Sequence, residues 1–188
     1  NNLYNFFISA INGEILHVEN WTYNCKSNHF LNRESHNHSH SAQNLQFSID
    51  GASYGVIKLP NESPIDGPFE TVVNPADPIA SPFGWHDTDG NIGPEFTITR
   101  GNNIYAREDD EGDNSQSGTD YSPDGGSSLN FIYDFDISGA PPSYQDLSIT
   151  NLFYTGNMVH YIWYNYGFDE QSGNFQENNY GNGGQGGD

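Results

Sequence analysis

NLFYTGNMVHYIWYNYGF, residues 151–168, is the most apolar stretch of the chain, and it holds one histidine, His160. Its apolar residues recur at helical spacing, which predicts a helix over roughly 144–166. Ser143 or Asp146 is placed to cap its start, and Gly167 to end it. With Ile149 as origin and about 100° per residue, Leu152, Phe153, Gly156, His160 and Trp163 fall within about 60° of one line. Val159 and Tyr166 lie at its edge. That line is the expected buried face, with His160 at its centre. Gly156, one turn away, costs about 1 kcal/mol of helix stability against alanine, so another backbone is expected to pass close to it.

His160 invites a zinc reading. A zinc site on a helix needs a second ligand on the same face, usually about four residues away. Position 156 is Gly, 164 is Tyr, and 153, 157 and 163 are Phe, Asn and Trp. His160 therefore reads as a packed histidine, hydrogen-bonded through its ring nitrogens. The alternative is a supporting role beside a site built elsewhere.

Working outward, the segment before the helix is rich in β-formers. YGVIKLP (54–60), FETVVNP (69–75), EFTITRGNNIYA (95–106) and SLNFIYDFDIS (128–138) alternate with turns dense in Pro, Gly, Asp and Asn. Residues 3–18 read as a hairpin about Asn12-Gly13, a dipeptide that tolerates positive φ. Residues 25–53 are polar and weakly patterned, and read as a linker. Their His36, His38 and His40 read as an adventitious metal patch or as without a role. After the helix, GNFQENN (173–179) is a candidate edge strand. The fold class is thus α+β: a β-rich region with long loops, followed by one long amphipathic helix.

Charge narrows function. Five Lys+Arg against 25 Asp+Glu give a formal net charge of −20. Such a surface repels phosphate backbones and anionic lipid, which excludes nucleic-acid binding and a polybasic membrane anchor. Twelve Tyr, 12 Phe and 3 Trp are too many for a simple disordered tail. Cys25 stands alone and gives no disulfide framework. No apolar run approaches the roughly 18 residues of a transmembrane helix. Asn20, Asn37 and Asn61 head glycosylation acceptor patterns that matter only in a secretory system. A chain that starts at Asn1, with Met158 its sole methionine, reads as a piece of a longer product.

Two acidic stretches resemble calcium loops: HDTDG (86–90) and REDDEGDNSQSGTD (107–120). The second gives Asp109, Asp110, Glu111 and Asp113 as calcium candidates, although a solvated acidic turn is the simpler reading. No G-x-S-x-G elbow, phosphate-binding loop or dinucleotide fingerprint is present.

Four blocks resemble one family in order and spacing: VVNPADPIASPFGWHDTDG (72–90), EFTITRGNNIYAREDDEGD (95–113), YSPDGGSSLNF (121–131) and ITNLFYTGNMVHYIWYNYGFDEQSGNFQENNYG (149–181). These blocks resemble the fungalysin-type secreted zinc metallopeptidases. The resemblance implies that residues 1–25 end an inhibitory propeptide, that 26–53 span its processing region, and that 54–188 begin the catalytic domain. It implies a secreted, zinc-dependent endopeptidase acting on protein or peptide substrates, with the propeptide as an internal partner. The acidic stretches, not the resemblance, make calcium a second candidate cofactor. The family's zinc site is H-E-x-x-H plus a downstream Glu. No H-E dipeptide occurs in the 188 residues, so the zinc ligands are expected beyond Asp188 and the chain alone is expected to be inactive. One departure is local: the family's Asn-x-x-His-Asp reads here Asn157-Met-Val-His160-Tyr161. Two rival readings remain open: an acidic calcium-binding structural or adhesion module, and a truncated, non-catalytic inhibitor-like relative.

Overall fold

The computed structural model describes residues 4–8, 15–20, 50–110, 112, 120–134, 136 and 138–187. The chain falls into two compact units, Asn1–Ser39 and His40–Asp188.

In the first unit, β1 (Tyr4–Ile8) pairs antiparallel with β2 (Ile15–Asn20). Tyr4 stands opposite Asn20 and Phe6 opposite Val18, and the register shifts between Phe7 and Ile8. These are the two expected strands. Asn12-Gly13, Cys25 and the histidines at 36, 38 and 40 lie outside the described residues.

The second unit is built on a small mixed sheet of order β4-β3-β5, from β3 (Ser53–Ile57), β4 (Phe69–Val73) and β5 (Asn130–Phe131). The central β3 runs antiparallel to β4 and parallel to β5. It is buried from Tyr54 through Ile57, as its continuous YGVI run requires of a strand covered on both faces. The long helix α1 (Gln145–Asn165) follows, and Asn151 Oδ1 accepts the Ile57 amide at 2.8 Å, tying helix to sheet. A small sheet plus one long helix toward the C-terminal end is the expected α+β arrangement.

The sheet is smaller than the β-like runs suggest. EFTITRGNNIYA forms only isolated bridges, Ile98 with Asp124 and Arg100 with Tyr105. Its hydrogen bonds close locally instead: Gly101 N donates to Ile104 O at 3.0 Å, and Thr99 Oγ1 to Ala106 O at 2.7 Å. A Cβ on Gly101 would collide with the Trp85 carbonyl oxygen, so this turn packs backbone against backbone. Residues 173–179 form no strand either. Asn102 takes the place of a partner strand there: its Oδ1 accepts the Asn178 amide at 2.7 Å, and its Nδ2 donates to Asn178 O at 2.9 Å.

The core is aromatic. Tyr54, Trp85, Phe131, Phe153 and Tyr154 are buried, with Leu129, Val56 and Ile149 around them. Tyr54 stacks on Phe131 at 5.3 Å, and Trp85 meets Phe153 edge-on at 6.0 Å.

The helix departs from expectation in its facing. The buried residues are Leu147, Ile149, Thr150, Phe153, Tyr154, Asn157 and Tyr164. Leu152, Trp163 and Tyr166, expected on the buried side, are 58%, 57% and 76% exposed. The buried face is thus rotated by about a quarter turn from the apolar line. Two polar residues cause the misreading: Thr150 and Asn157 are inside, and Asn157 satisfies itself by donating to Phe153 O at 2.9 Å. Gly156 also meets a different neighbour. The space beside it is filled by the Ile104 side chain, 2.8 Å from where a Cβ would stand, not by a backbone. Neither Ser143 nor Asp146 caps the start. Ser143 Oγ donates back to Ala140 O at 2.7 Å within a short 3₁₀ turn, Pro141–Tyr144, that leads into the helix. The end is as expected. Gly167 has φ +93°, its amide donates to Tyr164 O, and the Phe168 amide donates to Trp163 O, which completes a Schellman motif.

Candidate functional site

His160 sits on the C-terminal half of α1 and is half-buried. The segment after the helix folds back over it, and the short 3₁₀ turn Glu170–Ser172 begins that return. Asp169 caps this turn by accepting the Ser172 amide at 3.1 Å. Glu170, Asn174 and Gln176 are all buried, an uncommon run of polar side chains for an interior. Asn174 Nδ2 approaches His160 Nε2 at 3.3 Å and donates to Gln176 Oε1 at 2.6 Å. Gln176 Nε2 donates to Asn178 O at 2.8 Å. Glu170 Oε1 accepts from Tyr164 Oη at 3.3 Å and from Asn182 Nδ2 at 3.0 Å.

This seam is incompletely satisfied. His160 Nδ1, Glu170 Oε2 and Asn174 Oδ1 are buried and lack hydrogen-bond partners. An amide NH₂ facing Nε2 makes that nitrogen the acceptor, so the imidazole proton sits on Nδ1. Burial pushes the His160 pKa down; Gln176 and the Glu170 charge pull it back only in part. His160 is therefore a neutral imidazole at pH 7, bonded through one ring nitrogen rather than both.

A second histidine escaped notice in the sequence. His86 is fully buried, stacked on Phe131 and on Phe153 with centroids at 5.1 Å in both cases. Its Nδ1 lies 3.0 Å from Arg100 O, which can only accept, so Nδ1 carries the proton. Nε2 then accepts from Tyr54 Oη at 2.8 Å. Burial lowers the His86 pKa, against smaller opposing effects from Asp50 and from the Arg100 and Ile98 carbonyls. Its place directly after Trp85, in a turn-rich stretch, was the one available signal.

A third centre is acidic. Asp87, Asp89 and Glu95 bring carboxylate oxygens within 4.8 Å of one another. Asp87 is completely buried, while Asp89 and Glu95 are exposed. Burial raises the Asp87 pKa to about 6; the Gly90 amide opposes this, Glu95 adds to it, and the nearby Tyr180 phenol lowers it slightly. Asp87 and Asp89 lie in the HDTDG stretch already singled out, but Glu95 comes only after Gly93-Pro94 and was missed. Of the four calcium candidates, Asp109 and Asp110 are described but outside this cluster, and Glu111 and Asp113 lie outside the described residues.

The family profile described as fungalysin metallopeptidase (M36) matches residues 53–188. The chain belongs to the fungalysin metallopeptidase family. Relatives include probable extracellular metalloproteinase 5 of Trichophyton verrucosum, 43% identical over 141 residues, which are 74% of this chain and 22% of that protein. Extracellular metalloproteinase 5 of Trichophyton tonsurans is 41% identical over 143 residues, 74% of this chain and 22% of its own length. Extracellular metalloproteinase 2 of Arthroderma gypseum is 38% identical over 152 residues, 80% of this chain and 23% of its own. The chain thus spans less than a quarter of the relatives it matches. Nothing in these matches favours the adhesion-module or inhibitor readings.

The residues present do not fit a zinc site of the family's kind. The three metal-capable side chains gathered among the described residues are all carboxylates, with neither imidazole nor thiolate among them. No helix among the described residues is long and apolar enough to cross a membrane.

Proposed function

We propose that this chain is part of a secreted zinc-dependent metalloendopeptidase that hydrolyses proteins, made as a zymogen, with the zinc ligands C-terminal to Asp188 in a longer chain. The observation that carries the reading is the family match over residues 53–188, at about 40% identity to relatives named extracellular metalloproteinases. In this reading residues 1–25 end the propeptide, 26–53 span its processing region, and 54–188 open the catalytic domain. The chain's own part is structural. The aromatic core anchors α1, and the 169–182 seam holds His160 and its amide partners in place beside a site completed elsewhere. His160 supports and does not bind the metal, and the 188 residues by themselves do not hydrolyse peptide bonds.

The test is to express the complete reading frame and assay casein hydrolysis with and without a zinc chelator. The expected result is activity that the chelator abolishes and added zinc restores, with none from the 188-residue chain. A reading frame lacking H-E-x-x-H, or activity indifferent to the chelator, overturns it.

A further inference from the structure

We propose that Asp87, Asp89 and Glu95 form a divalent cation site suited to calcium. The geometry fits one ion. Ligands on opposite sides of a calcium at 2.3–2.6 Å stand about 4.6–5.2 Å apart. The three carboxylates offer oxygens all within 4.8 Å of one another, so a single ion can reach each of them.

The independent observation is Asp87 itself. It has no exposed surface, and its Oδ2 is buried without a hydrogen-bond partner. Its Oδ1 accepts the Gly90 amide at 3.1 Å. The Tyr180 hydroxyl is close enough to influence it, yet no hydrogen bond of normal geometry joins them. Among the described residues no lysine or arginine forms an ion pair with any of the three. A cation bound at a buried carboxylate oxygen that accepts no hydrogen bond, beside two more carboxylates, would offset the cost of burying that charge.

The donor set selects the ion. All three donors are carboxylate oxygens, which favour hard cations over zinc. Two of the donors are exposed and leave room for water, as the high and flexible coordination of calcium needs; magnesium demands a tighter octahedron. The loop holds these carboxylates in place. Glu95 Oε2 accepts the Thr88 amide at 2.6 Å, and Asp89 Oδ1 accepts the Asn91 amide at 2.8 Å.

The site also has a consequence for the seam. Asn178 Nδ2 donates to Thr88 O at 3.1 Å, and Tyr180 packs on Phe83 at 5.6 Å. An ion on Asp87 therefore steadies the loop against which 174–180 rests, and with it the amides that face His160.

The experiment uses the 188-residue chain, stripped with EDTA and melted with and without about 10 mM calcium. Calcium is expected to raise Tm by about 5 °C or more, as a site of submillimolar Kd would. Asp87→Asn and Glu95→Gln should remove the rise. Asp89→Asn, at an exposed position where folding is not at risk, should weaken calcium binding about tenfold. Terbium emission excited through tyrosine should be displaced by calcium and should fall in Tyr180→Phe while the calcium shift persists. Four outcomes overturn the site: no calcium shift, an equal shift in Asp89→Asn, an equal shift with magnesium, or loss of the shift in Asp109→Asn/Asp110→Asn. None of these readouts depends on proteolysis, so they stand or fall separately from the peptidase reading.

Discussion

His86 and His160 lie along the same helix and are built in opposite ways. His86 stacks on Phe153 of α1, and both its ring nitrogens have partners. His160 is on α1 two turns further along, has one partner, and keeps Nδ1 buried and unpaired. The first histidine completes a core. The second belongs to a seam of amides and carboxyls that leaves several polar atoms idle. Packed cores mostly satisfy their polar groups, and His86 follows that rule where His160 Nδ1 does not.

The sharpest way to break this comparison is His86→Ala. It opens a cavity between two aromatic rings and orphans Tyr54 Oη and Arg100 O, so it should cost about 3–5 kcal/mol. Urea denaturation reads it, and a cost below about 1 kcal/mol would mean that His86 is no core residue. Tyr54→Phe is a finer cut. It keeps the ring and removes only the hydroxyl that His86 Nε2 accepts from, for about 1–3 kcal/mol.

Acid sharpens the same contrast. Both histidines have folded pKa values below the ordinary 6.5, chiefly through burial. A lowered histidine pKa means that the unfolded chain takes the proton first. The contribution is complete above about pH 6.5 and is lost as pH falls toward the folded values, by at most about 1.4 kcal/mol per pH unit for each group. Asp87 works the other way, since its carboxyl, raised to about 6, protonates more readily folded than unfolded. NMR titration separates the groups. Both imidazoles should titrate below the ordinary 6.5 in the folded protein, each held down chiefly by burial.

His160→Leu should change stability by less than about 1 kcal/mol, because it discards one long hydrogen bond and also one unsatisfied donor. A loss above about 2 kcal/mol would make His160 a core histidine after all, and the contrast with His86 would vanish.

The sequence carried the helix, its glycine stop and the runs that become β3 and β4, because these follow from local periodicity and turn chemistry, but not which strand pairs with which. It did not carry the facing of the helix. Thr150 and Asn157 are polar by type yet buried: Asn157 bonds to Phe153 O and Asn103 Nδ2, whereas Thr150 Oγ1 has no hydrogen-bond partner among the described residues, and no hydrophobic pattern contains that information. The acidic trio was half visible. Asp87 and Asp89 are neighbours in sequence, whereas Glu95 returns only through the turn at Gly93-Pro94. The 95–106 run looked like a strand because its residues favour extended backbone, but Gly101 pressed against Trp85 turns it back on itself.

The quarter-turn rotation of the helix sets up the smallest effect. Trp163 and Leu152 are more than half exposed, so Trp163→Ser in this chain should alter stability by no more than about 0.5 kcal/mol. The same residues form a line with Val159 and Tyr166 that is apolar without being covered, and the chain makes up only 22% of a related metalloproteinase. If the remainder of a longer chain packs on this line, Trp163→Ser there should cost about 3 kcal/mol or more, as for a buried tryptophan. The isolated chain should bind a hydrophobic dye that the longer one does not, and Trp163→Ser should weaken that binding. An equally small cost in both chains would show that the line faces solvent throughout.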